Sequence, residues 1–67
     1  MKVDFESFNK ESEYIGILDF ENNYYNIVRF KGLYYSVDIS NVGIIGINSE
    51  GYENLHDLHD ILEKREG

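Results

Sequence analysis

His56-Asp57-Leu58-His59-Asp60 is the tightest cluster of metal-ligand residue types in the chain. On a helix, positions three and four apart lie on one side. His56, His59 and Asp60 would then offer a divalent ion two imidazoles and a carboxylate. At about 100° per residue, however, His59 falls beside Leu55 and Tyr52 while His56 points further outward. No further ligands stand at zinc-type spacing. The pair therefore reads first as one surface and one boundary histidine, with metal binding at His56, His59 and Asp60 as a secondary alternative.

Carboxylates carry more information. Glu50, Glu53, Asp57, Asp60 and Glu63 project from the same segment, or from just before it, away from its leucines. Along a helix axis this spacing is one carboxylate per about 5 Å, against one phosphate per about 3.4 Å on each strand of duplex DNA. Such a row can imitate a phosphate backbone, or it can simply keep a helix face solvated. The excess of acid runs through the whole chain, with 13 acidic against 6 basic residues and a net charge of −7. That field repels nucleic acid and anionic membranes and attracts cationic protein surfaces. Tyrosines beside carboxylates bind cations through ring faces plus charge. Tyr25 and Tyr34, with Arg29 and Asp38 on the same sheet face, are candidates for such anchoring, although tyrosine is also an ordinary strand former with a wet tip.

Enzymatic signatures are missing from the sequence. Ser49 lacks the G-x-S-x-G context, cysteine is absent, and Gly43, Gly46 and Gly51 fit neither a Walker loop nor a dinucleotide fingerprint. Paired carboxylates in so acidic a chain have no specificity as general acid and base. A non-enzymatic protein without a cofactor is expected.

With 67 residues there is room for one small domain. Hydrophobic residues make up 42%, and the six Tyr and four Phe supply large rings, so the chain folds despite its charge. Without cysteine no disulfide staples it. No apolar run reaches the length of a membrane span, and Met1 to Glu6 lack the apolar stretch of a signal peptide. A cytoplasmic protein is expected. The lack of Ala, Thr, Gln, Pro, Trp and Cys beside abundant Ile, Asn, Tyr, Phe and Lys points to AT-rich codons, as in a low-GC bacterium or its phage.

The elements that must position these residues follow from periodicity. Alternation predicts strands over roughly 14–20, 24–30, 33–39 and 42–47, and a short edge strand over 1–6, where a helical turn through Phe5 and Phe8 is the other option. Asn22-Asn23 and Lys31-Gly32 suit tight hairpin turns. With both as two-residue loops, Val28 faces Tyr35, Asn26 faces Val37 and Ile17 lies beside Val28. Ile15, Ile17, Val28, Phe30, Leu33, Tyr35, Val37 and Ile39 then form one core face. Leu18, Phe20, Tyr25, Ile27, Arg29, Tyr34, Ser36 and Asp38 form a second face, too apolar for solvent. Its expected cover is the N-terminal segment, barrel closure or a partner chain. From about residue 53 to 65, Leu55, Leu58, Ile61 and Leu62 make a helical stripe that docks on the sheet. Asn54 is the cap, and Lys64 and Arg65 sit at the C-terminal end.

The predicted fold is α+β: one domain spanning 1–67, an antiparallel meander of three to five strands, open or closed into a small SH3-like barrel, with one C-terminal helix. The expected function is that of an acidic protein-binding module, an inhibitor that occupies the basic, nucleic-acid-binding surface of a bacterial or phage protein. Glu50, Glu53, Asp57, Asp60, Glu63, Tyr25, Tyr34 and Asp38 are its contact residues. The alternative is a homodimeric interaction domain that pairs through the Tyr-rich face.

Overall fold

Lys31 and Gly32 both take positive φ, 50° and 80°, the conformation of the two-residue primed turn whose twist matches antiparallel strands. They close a hairpin between β2 (Asn23–Phe30) and β3 (Leu33–Ser40). Phe30 stands opposite Leu33, Val28 opposite Tyr35 and Asn26 opposite Val37, in the expected register. The structure is a computed structural model that describes residues 4–21 and 23–66. Met1 to Val3, Asn22 and Gly67 lie outside the described residues, and with them half of the expected first strand and part of the expected Asn22-Asn23 turn.

β1 (Glu13–Phe20) and β4 (Gly43–Ile47) complete a four-stranded antiparallel sheet in the order β1-β2-β3-β4. β1 and β4 are its two edges, so the meander remains open and does not close into a barrel. Together with a helix at each end of the chain it makes a small α+β fold. No helix among the described residues is long and apolar enough to cross a membrane.

Of the strand expected over 1–6, the described part is corrected: Phe5 and Glu6 open a helix, α1 (Phe5–Glu11), which is the other option offered by Phe5 and Phe8. Its start is built by Asp4, whose carboxylate accepts from Glu6 N at 3.2 Å and from Ser7 Oγ at 3.0 Å. This is the N-cap role that short acceptor side chains fill. Its end is closed by Ser12 N donating to Phe8 O at 3.0 Å. Phe8 is fully buried, its ring 5.0 Å from that of Phe30 and 5.0 Å edge-on from that of Tyr35. With Val28, Val37 and Ile44 these residues form the core on the first sheet face.

The β1–β2 register also differs from expectation. The hairpin closes on the pair Phe20–Asn23, so Asn23 belongs to the strand and Ile17 stands opposite Asn26 instead of Val28. A bulge between Tyr14 and Gly16 then brings Tyr14 opposite Val28 and displaces Ile15 from the ladder. Glycine inside a strand commonly marks such a bulge. Ile15, displaced by this bulge, is 40% exposed; Ile17, at 57%, and Ile39, beside the register shift of the β3–β4 ladder and 41% exposed, are likewise not core residues. The seven residues of α1 span only about 10 Å at 1.5 Å each, too little to roof a whole sheet face.

The second face is covered by α2 (Leu55–Glu66) and, among the described residues, not by the N-terminal segment or by barrel closure. Leu58 and Leu62 are fully buried against Ile27, with Leu18, Phe20, Tyr25, Tyr34, Tyr52 and Leu55 packed around them. The chain reaches this side by running on along β3 after β4. Asn48 N donates to Ser36 O, and Tyr34 and Tyr52 exchange backbone hydrogen bonds of 2.8 and 3.0 Å. Leu58 N bonds Asn54 O, so Asn54 stands just before the helix, as expected, and the helix itself begins at Leu55, two residues later than the expected boundary near 53. Arg65 ties the far end down by donating to Asn48 O at 2.8 Å.

Candidate functional site

With Leu55, Leu58 and Leu62 turned to the sheet, about 100° per residue turns His59, Glu63 and His56 to one flank of α2. Asp60 follows them, and Asp57 and Lys64 lie on the side away from the sheet. The flank overlooks β1. Between the two elements runs an open groove of about 500 Å³, lined by Leu18 from β1 and by Leu55, His56, His59, Asp60 and Glu63 from α2. Leu18 and Leu55 supply its apolar surface, and both belong to the second-face core. The His59 ring is held 5.1 Å from the Phe20 ring. Neither lysine nor arginine lines the groove.

Asp60 stands between the two imidazoles, with Oδ2 3.5 Å from His56 Nε2 and Oδ1 3.8 Å from His59 Nδ1. Both separations are beyond good hydrogen-bond length. Among the described residues no group of three or more His, Cys, Asp or Glu side chains is arranged to hold a metal ion. His56, His59 and Asp60 are thus neighbours without being a converged ligand set.

The structure leaves the acids in solvent. Glu50, Glu53, Asp57, Asp60 and Glu63 are all exposed. Asp57, Asp60 and Glu63 stand on α2, while Glu50 and Glu53 sit in the loop before it. Among the described residues the ion pairs are Arg29–Glu13 at 3.0 Å and the two histidine contacts of Asp60. Glu50, Glu53, Asp57 and Glu63 carry none. Arg29 is occupied on the sheet by Glu13, and Lys31 Nζ lies 5.3 Å over the Phe30 ring.

The other expected contact residues lie apart from this row. Tyr25 and Tyr34 are half-buried beneath α2, Tyr25 edge-on to Phe20 with ring centroids 5.7 Å apart. They pack the interior, which also means that the apolar face assigned to a second copy is already filled by the chain's own helix. Asp38 is exposed, pairs with Gly46 across the β3–β4 ladder and accepts from Asn48 Nδ2 at 3.3 Å. Asn48 also receives Arg65, so Asp38 neighbours the C-terminal end of α2.

The strand over 14–20 is as expected, but sequence reasoning missed that it is a sheet edge with a groove beside it. Ile17 of β1 is more than half exposed and shares its strand with Leu18, whose side chain enters the groove. The signal was Gly16, which breaks the alternation and lets Ile15 leave the ladder. Compared with known protein families, curated proteins and solved structures, the chain matches none.

Proposed function

We propose that the protein is a non-enzymatic acidic binding module that occupies the basic, nucleic-acid-binding surface of a bacterial or phage protein in the cytoplasm of a low-GC bacterium. The observation that carries this reading is the set of exposed carboxylates on and before α2, most of them without an ion-pair partner among the described residues. Like charges gathered on one helix cost stability, and a field of one sign steers and orients an oppositely charged partner. Glu50, Glu53, Asp57, Asp60 and Glu63 supply the charge, with Asp38 at the rim. Tyr25 and Tyr34 contribute by holding α2 in place instead of touching the partner.

Displacement of labelled duplex DNA from purified basic nucleic-acid-binding proteins tests the reading. The protein is expected to compete with DNA, and its direct binding to those proteins, measured by calorimetry without DNA, to weaken as salt rises from about 50 to about 200 mM. The variant carrying Glu53→Lys, Asp57→Lys and Asp60→Lys should lose at least about tenfold in competition, since charge pairs at such contacts commonly contribute 1.4 kcal/mol or more. Direct binding indifferent to salt, with competition indifferent to charge reversal, would overturn it.

A further inference from the structure

The two edges of the sheet are treated differently. On β4, the carboxamide of Asn9 takes the place of a neighbouring strand, donating to Ile44 O at 3.3 Å and accepting from Ile44 N at 3.4 Å. Among the described residues β1 pairs with no further strand, and no side chain of α1 bonds its outer edge as Asn9 bonds that of β4. It carries no Lys or Pro, the residues that commonly guard an edge. Its bulge lies near its start, and from Gly16 to Phe20 its pairing with β2 is regular. A regular, uncovered edge is a template for an added strand.

Alternation fixes what such a strand would meet. A residue beside Ile17 points to the first face, where Ile17 offers exposed apolar surface. The next residue, beside Leu18, points to the second face, on the side of the groove lined by Leu18, Leu55, His56, His59, Asp60 and Glu63, which offers apolar surface and two carboxylates together. An apolar residue fits the first position and a long cationic one the second, because lysine and arginine lay their methylenes on apolar surface while the charge stays wet. We propose that β1 receives an extended segment of a basic partner protein, alternating apolar and Lys or Arg residues, as a fifth strand of the sheet. This rests on the acidic-module reading and names its docking site and partner chemistry.

A second copy is the poorer occupant. Pairing β1 with itself about Ile17 would set Glu13 of one copy opposite Glu21 of the other and Asp19 opposite Ile15, between chains of net charge −7. Like charges directly opposite across strands are destabilising. A cationic segment meets the same acids with complementary sign.

The test titrates the full chain, by calorimetry and amide hydrogen exchange, with a short acetylated peptide alternating valine and lysine. A parallel titration uses the same peptide N-methylated at the amides that would face β1. The unmodified peptide should bind and slow exchange within Gly16–Phe20. N-methylation, which removes the ladder donors without changing charge, should weaken binding about tenfold or more. Ile17→Lys should weaken binding comparably, while Val42→Lys, at the β3–β4 turn beside the other edge, should leave it unchanged. Equal binding of both peptides would overturn strand addition and leave the acidic-module reading standing. Failure of the peptide to bind while DNA displacement persists would do the same, and failure of both would remove both. Concentration-dependent protection of β1 without peptide would assign the edge to a second copy and overturn the basic partner.

Discussion

Phe8→Ala tests the arrangement that everything else depends on, a sheet roofed on one side by a helix of seven residues. Phe8 is fully buried, and it contacts two aromatic rings at 5.0 Å centroid distance, one of them at 84°. Burial of a phenylalanine contributes about 1.5–3 kcal/mol. Each well-oriented ring pair adds about 0.5–1.5 kcal/mol. The sum agrees with the roughly 3–5 kcal/mol that Phe→Ala substitutions cost in cores. A chain of 67 residues has a total stability of only about 3–10 kcal/mol at 0.05–0.15 kcal/mol per residue. Phe8→Ala should therefore remove a third of the stability or more. Phe5, one turn earlier and 43% exposed, is the control; Phe5→Ala should cost less than about 1 kcal/mol. Urea denaturation followed by far-ultraviolet circular dichroism measures both. With a slope of about 1 kcal/mol per molar urea for so small a protein, the Phe8→Ala midpoint should fall by about 3 M or vanish. Equal, small shifts for the two variants would mean that α1 is not docked through Phe8, and the packing of the first face would have to be redrawn.

Three further outcomes follow from single contacts. A Cβ at Gly51 would lie 2.7–2.9 Å from ring atoms of the buried Tyr35, so Gly51→Ala should destabilise by about 1–3 kcal/mol in the same urea assay. Ser36 is fully buried and its Oγ has no partner among the described residues; Ser36→Ala should raise the melting temperature, by about 4–8 °C if the gain reaches 1 kcal/mol. Asn9→Ala should cost about 1–3 kcal/mol and leave the β4 edge unpaired at Ile44, with self-association at high concentration detected by light scattering.

The parts of this fold that were legible in the sequence are those in which one local signal dominates. Lys31-Gly32 dictates a primed turn, and the turn dictates the β2–β3 register. Leu55, Leu58, Ile61 and Leu62 dictate a helix and the side it buries, although Ile61 ends only half-buried. Two signals competed elsewhere. Met1 to Phe5 alternates like a strand, but Asp4 is a good N-cap and Phe5 and Phe8 are spaced for a helix; tertiary burial of Phe8 decides for the helix. Alternation through Ile15, Ile17 and Val28 suggested one continuous apolar face, and the Gly16 bulge breaks it. Both sheet faces are apolar, so the pattern alone could not say which of them the C-terminal helix covers. The longer helix takes the second face and encloses Tyr25 and Tyr34. The acidic residues were legible as exposed because nothing in the chain has enough positive charge to bury them.

Unequal roofing is what joins the charged and apolar surfaces of this molecule. α2, twelve residues long, is long enough to lie along the second face, and its acid-bearing flank overhangs β1. α1, at seven residues, leaves the β1 side of the first face open, so Ile17 is uncovered on one side of the strand while Leu18 meets the carboxylate-rimmed groove on the other. Adjacent residues of one strand thus present apolar and anionic environments on opposite faces. Charge alone would give an association that salt dissolves, since exposed pairs are screened beyond about 8–10 Å at physiological ionic strength. Apolar contact alone, around one isoleucine, is too small to hold a partner against the cost of association. Backbone pairing along β1 supplies the missing contribution, because hydrogen bonds in a ladder depend little on salt and align both side-chain environments with a single extended segment. The open edge, the exposed isoleucine and the two groove carboxylates, Asp60 and Glu63, therefore belong to one surface, with β1 as its axis.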